Sequence, residues 1–110
     1  MPRHVCFLVY SGFVLLDLSG PLEAFSNANS ARPSGYRFTV ASLEGGLIRA
    51  SSGLQVATEA LEVVDRLDTL IIVGAPAAPI GDWTMSMATA IRHMSLRSRR
   101  TASVCTGAFV

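Results

Sequence analysis

The sequence predicts an α/β fold, a doubly wound and mostly parallel sheet with helices on both faces, in the manner of a flavodoxin-like three-layer sandwich. Three observations predict it. Two runs, HVCFLVY at residues 4–10 and DTLIIVG at residues 68–74, are apolar almost without interruption, as strands buried on both faces of a parallel sheet must be. Strand-like and helix-like stretches alternate in the order strand, helix, strand, hairpin, strand, helix, strand. Half of the 110 residues are apolar and 15% are charged, which suits one small core rather than a disordered or nucleic-acid-coating chain.

The first strand, residues 4–10, stops at Ser11-Gly12, and Cys6 within it reads as core. In FVLLDLSGPLEAFSNANSA, residues 13–31, Gly20 can cap a helix, Pro21 suits its first position and Glu23 complements the dipole of its first turn. Leu22, Phe25 and Ala28 then form its apolar stripe. Residues 36–43 (YRFTVASL) alternate as a second strand, with Gly45-Gly46 as its turn, and LIRA and LQVAT form a hairpin-like excursion around Ser51-Ser52-Gly53. After the run at 68–74, the loop GAPAAPIG carries two prolines and two glycines and is therefore shaped rather than merely flexible. Asp82 can cap a helix in which Trp83, Met87, Ile91 and Met94 recur at core-facing spacing, and TASVC at 101–105 is the last strand.

The net charge of +1 favours no particular partner. All nine basic residues are Arg; Arg92, Arg97, Arg99 and Arg100, near His93, read as a solvated helix end more readily than as a phosphate patch. Cys6 and Cys105 are too far apart for metal-ligand spacing and no disulfide is needed, so the expectation is a reducing, cytoplasmic setting with no metal and no cofactor. Ser11-Gly12 and the early Asp17 break the apolar N-terminal stretch as a signal-peptide core, and no run reaches membrane-spanning length.

Reactive groups in doubly wound sheets gather beyond the carboxyl ends of the strands. That brings together the turn after Tyr10 leading to Asp17, the loop after Val73, and the turn at Cys105. In SVCTGAF, Ser103 and Gly107 supply the small residues that let a strand turn sharply into a helix with Cys105 at the corner, a nucleophile elbow with Cys in place of Ser. A thiol at a helix N-terminus is acidified below its usual ~8.5. The amide of Thr106 and one from the Gly74-Ala75 turn are then disposed to bind an oxyanion. Asp17 beside a thiolate would keep its proton and donate it to sulfur or substrate; equally, Asp17 could cap a helical turn beginning at Leu18 or Ser19. His4, at the far end of a strand, and His93, within a helix, are poor candidates for a base, whereas Phe13 or Trp83 could offer a face to a cation.

The run LLDLSGPLEAF, the strand DTLIIVGAP and the elbow ASVCTGAF resemble, in this order, the class I glutamine-amidotransferase-like (ThiJ/PfpI) superfamily across nearly all of residues 3–110. More narrowly the chain resembles the N-terminal ligand-sensing domain of AraC-family transcriptional regulators. The resemblance implies that Cys105 is the reactive residue and Asp17 its acidic partner. Isonitrile hydratases share a similar Asp…Cys-Thr-Gly pattern, which implies a part for Thr106. Peptidase-like relatives carry His directly after the Cys, and Thr106 at that place argues against proteolysis. Residues 1–110 are accordingly expected to be the N-terminal part of such a domain, cut after the elbow, with a DNA-binding helix-turn-helix domain absent from this chain.

Three functions stay open. The first is a homodimeric sensor that binds a small polar metabolite among Asp17, Gly74, Ala75, Cys105 and Thr106. The second is an isonitrile hydratase-like lyase in which Cys105 attacks and Asp17 delivers the proton. The third is a redox protein whose Cys105 is oxidised without turnover.

Overall fold

In the computed structural model, which describes residues 3–31, 35–64, 67–74 and 85–104, strands β1 (Arg3–Leu8), β2 (Tyr36–Ser42), β3 (Gly46–Arg49), β4 (Gln55–Ala60), β5 (Thr69–Val73) and β6 (Arg100–Val104) form one six-stranded sheet. Its order is β3-β4-β2-β1-β5-β6, and every neighbouring pair is parallel except β3 with β4. Helices α1 (Leu15–Ala31) and α2 (Met85–Arg97) cross over between parallel strands. This is the doubly wound architecture that the two apolar runs demand.

β1 lies mid-sheet, flanked by β2 and β5, which is why residues 4–10 are buried without a break. Alternate side chains separate into two cores. Val5, Phe7 and Val9 join Phe13, Leu18, Ile71 and Val73 on the face covered by α1. Cys6, Leu8 and Tyr10 join Leu70 and Met94 on the face covered by α2, with Ile91 packed against them. Burying side chains such as Phe7 or Leu8 completely contributes roughly 1.5–3 kcal/mol each.

Helix α1 starts at Leu15, well before the expected Gly20-Pro21 boundary, and Pro21 sits inside it. The chain leaving β1 is already turned into a helix by then: Phe13 N–H donates to Tyr10 O at 3.1 Å, Val14 N–H to Gly74 O at 2.9 Å, and Asp17 N–H to Val14 O at 3.0 Å. Pro21 has no amide to offer the Asp17 carbonyl four residues back, a local loss that packing of the surrounding helix outweighs. The buried stripe is Leu15, Leu18, Leu22 and Phe25, whereas Ala28, expected on that stripe, is exposed. Phe25 meets Tyr36 edge-on at 4.9 Å and Phe7 at 6.3 Å. At the end of the helix, the Asn29 amide donates to Tyr36 O and accepts from Tyr36 N–H, both at 2.9 Å, which fixes where β2 begins.

The β3–β4 hairpin is not an excursion. β4 pairs in parallel with β2 through Ala41↔Glu59 and Ser42↔Ala60, so the hairpin forms one edge of the sheet. A hydroxyl chain ties it down: Gly45 N–H donates to Ser42 Oγ (2.9 Å), Ser42 Oγ bonds Thr58 Oγ1 (2.6 Å), and Thr58 Oγ1 donates to Gly46 O (2.7 Å). Gly45 is required there. Its φ is +81°, and a Cβ would meet the backbone N of Ala60 at 2.9 Å. In α2, Met94 is buried as its spacing predicts; Asp82, Trp83 and the side chain of Met87 lie outside the described residues.

Candidate functional site

Register brings the carboxyl ends of the central strands to a common edge: Leu8 pairs with Ile72, and Val73 with Val104. Residues 9–14 and Gly74 set out from that edge, and β6 ends there at Val104. Backbone hydrogen bonds knit the first two together, since Val14 N–H donates to Gly74 O at 2.9 Å. The hairpin joins the same rim, with Gly12 N–H donating to Arg49 O (2.9 Å) and Ser51 N–H to Phe13 O (2.8 Å). Sequence reasoning missed this contribution. The small residues Ser51-Ser52-Gly53 marked a turn, but only the long-range backbone bonds to Gly12 and Phe13 place that turn at the strand ends.

Asp17 lies in the first turn of α1, 1% exposed, so it is neither a cap nor a surface residue. Burial of its polar atoms demands hydrogen-bonding company. Its segment and Gly74, two members of the expected site, are therefore brought together through Val14. Ala75, Cys105 and Thr106 lie outside the described residues; the described chain reaches Val104, immediately before Cys105. Phe13 is 0% exposed and packs in the α1-side core, so its ring has no face for a cation, contrary to expectation. Trp83 lies outside the described residues.

Cys6 is the contrasting thiol. It is completely buried, and loss of solvation, with a smaller contribution from the negative charge of Glu59, pushes its pKa up to about 12. Such a thiol is packing, not chemistry. His4 is buried at the opposite end of the sheet, where Arg37 Nη2 donates to its Nδ1 at 3.1 Å. Its Nε2 then carries the proton and donates to Thr39 Oγ1 at 2.6 Å. His93 is exposed on α2. Among the described residues no group of three or more His, Cys, Asp or Glu could hold a metal ion, and no helix is long and apolar enough to cross a membrane.

Comparison with known proteins extends this geometry. The family model described as the DJ-1/PfpI family matches residues 3–110. An uncharacterized protein in the cpoL 5' region of Streptomyces lividans is 40% identical over 110 residues, covering 99% of this chain and 77% of that protein. The HTH-type transcriptional regulator GbdR of Pseudomonas aeruginosa is 30% identical over 111 residues, covering 98% of this chain and 30% of the regulator. Among solved structures, an AraC family transcriptional regulator from Pseudomonas putida superposes with a TM-score of 0.77 at 21% identity, covering 92% of this chain and 55% of that one. A ThiJ/PfpI family protein from Pseudomonas syringae superposes with a TM-score of 0.78 at 20% identity, covering 98% and 44%. The chain thus spans about half the length of these solved structures and less than a third of the regulator.

Proposed function

The chain belongs to the DJ-1/PfpI family, and from that premise we propose that it is the small-molecule-sensing domain of an AraC-type transcriptional regulator. The observation that carries this is the alignment of 98% of the chain with 30% of a transcriptional regulator, a proportion that suits a sensing part joined to a separate DNA-reading part. A small polar metabolite binds at the strand carboxyl ends among Asp17, Gly74, Ala75, Cys105 and Thr106. The bond from Val14 to Gly74 supports that location, because it ties the loop before Asp17 to the loop after β5. Ligand shifts a homodimer between two arrangements by its differential affinity for them, and DNA is read by a helix-turn-helix domain outside these residues.

A thermal-shift screen of amino acids and quaternary ammonium compounds tests the proposal. A ligand at a hundred times its Kd stabilises the folded state by about 2.7 kcal/mol, enough to raise the midpoint by roughly 10 °C or more in a domain of this size. Asp17→Asn should remove most of that shift. A panel without any stabilising compound, or a shift unaltered by Asp17→Asn, would refute the sensor.

The burial of Asp17 beside the strand ends also supports a second function, an isonitrile hydratase-like lyase. There the Cys105 thiolate attacks the isonitrile carbon and Asp17 delivers the proton, after which water releases the product and restores the thiol. Turnover of isonitriles that survives Cys105→Ala would end this alternative.

A further inference from the structure

We propose that the end of the sheet opposite the candidate site docks the phosphate backbone of double-stranded nucleic acid, through Arg3, Arg37, Arg99 and Arg100. Parallel pairing creates this surface. β1, β2 and β6 all begin at one end, so guanidinium groups distant in sequence arrive together. The dipole of α2 accounts for cations near its own C-terminus; it does not account for Arg3 and Arg37, which come from other strands.

The spacing follows from the register. Arg37 pairs with His4 across β2 and β1, Asp68 N–H donates to His4 O at 2.9 Å, and Arg100 N–H donates to Asp68 O at 2.8 Å. From β2 to β6 there are three interstrand spacings of about 4.8 Å, roughly 14 Å in all, close to the ~12 Å width of a major groove. Arg3 and Arg100 share the α1 face with Tyr36, and Arg37 lies on the other face against His4, so this end of the sheet offers guanidinium groups to phosphates from both of its faces. Between them, Arg3 and Arg100 line a common hollow of about 520 Å³ beside Thr69, whose hydroxyl proton is held by Asp68, so the guanidinium groups are the donors left for phosphate.

The groups are available. Arg3, Arg37 and Arg100 are exposed, and the Arg99 side chain is 62% exposed. Arg37 gives only one N–H to His4. Among the described residues, the one carboxylate at these strand starts is Asp68, which already faces Arg99 at 3.7 Å and accepts from Thr69 Oγ1 at 3.0 Å. Arginine presents a planar fork that matches phosphate better than an ammonium does.

Charge is also segregated along the strands. Glu44 follows β2, Glu59 lies near the end of β4 and Glu62 just after it, all toward the carboxyl ends of the parallel strands, where Arg49 is the cation among the described residues. A polyanion therefore orients the molecule with its arginine end inward and its candidate site outward, open to ligand. This inference stands on the charge layout and does not need the sensor to be correct.

Fluorescence anisotropy of a labelled 20-base-pair duplex of arbitrary sequence, titrated with the chain between 20 and 200 mM NaCl, tests it. Four phosphate contacts predict a slope of log affinity against log salt of about −3 to −4, with little dependence on sequence. The double variant Arg99→Gln/Arg100→Gln should make that slope shallower by about 2, whereas Arg49→Gln, which removes a charge from the other end, should leave it unchanged. Far-UV circular dichroism and the thermal midpoint verify that each variant is folded. Absence of binding at 20 mM NaCl, or an equal effect of Arg49→Gln, would overturn the proposal. So would displacement by poly-glutamate as effective as by unlabelled duplex, which would assign the surface to an acidic protein partner instead.

Discussion

Raising the pH, or adding an alkylating reagent, should separate the two thiols of this chain by a large factor. Burial lifts Cys6 from 9.0 to about 12, so below pH 9 its thiolate is about a thousandfold scarcer than that of a thiol at the unshifted value. Because Cys6 is also 0% exposed, reagent must wait for an opening of the mid-sheet strand, which slows it further. Iodoacetamide at pH 8, with timed quenching and mass spectrometry of the peptides, should therefore modify Cys105 in the native chain and reach Cys6 only in denaturant. The alkaline limb carries a sign. The native state keeps a proton that the unfolded chain releases above pH 9.0, so stability present below that pH is lost as pH climbs toward about 12, by up to ~1.4 kcal/mol per unit. Cys6→Ala should remove that component of the slope. Equal alkylation of both cysteines in the folded chain would refute the burial argument and, with it, the two-core description of β1.

Gly45→Ala should cost about 2–3 kcal/mol in chemical denaturation, because a left-handed backbone and a 2.9 Å approach to Ala60 N are both penalised; Gly46→Ala, with φ +84° but open space, should cost about 1–2. The reverse order would contradict the turn geometry. Asn29→Ala should lose roughly 1–3 kcal/mol and speed hydrogen exchange at the Tyr36 amide, and unchanged exchange would show that the helix end does not fix β2. Phe25→Leu should cost about 1–2 kcal/mol through its edge-on partners Phe7 and Tyr36, and a neutral thermal midpoint would discount that cluster.

The strands were legible because their burial is written locally: HVCFLVY and DTLIIVG have nowhere to go but the middle of a sheet. The hairpin was legible from its small turn residues, but its parallel union with β2 was not, since two residue pairs late in each strand carry it. The start of α1 misled for a physical reason. Gly20-Pro21 looks like a boundary, whereas a local bond from Phe13 to Tyr10 and a tertiary one from Val14 to Gly74 set the chain turning earlier, and no local pattern encodes the Gly74 carbonyl that Val14 uses. For the same reason Asp17 could be assigned to the strand ends by fold logic while its burial could not. Phe13, apolar and close to the site in sequence, proved to be core because the turn after β1 folds it under α1.

Convergence of the first helix and the elbow at the strand carboxyl ends is tested most directly by the pH dependence of Cys105 alkylation in the wild-type chain and in Asp17→Ala. If the Asp17 carboxyl donates a hydrogen bond to the Cys105 sulfur, its removal moves the midpoint of the profile upward by about one pH unit or more. Superimposable profiles from two folded proteins would contradict a shared site.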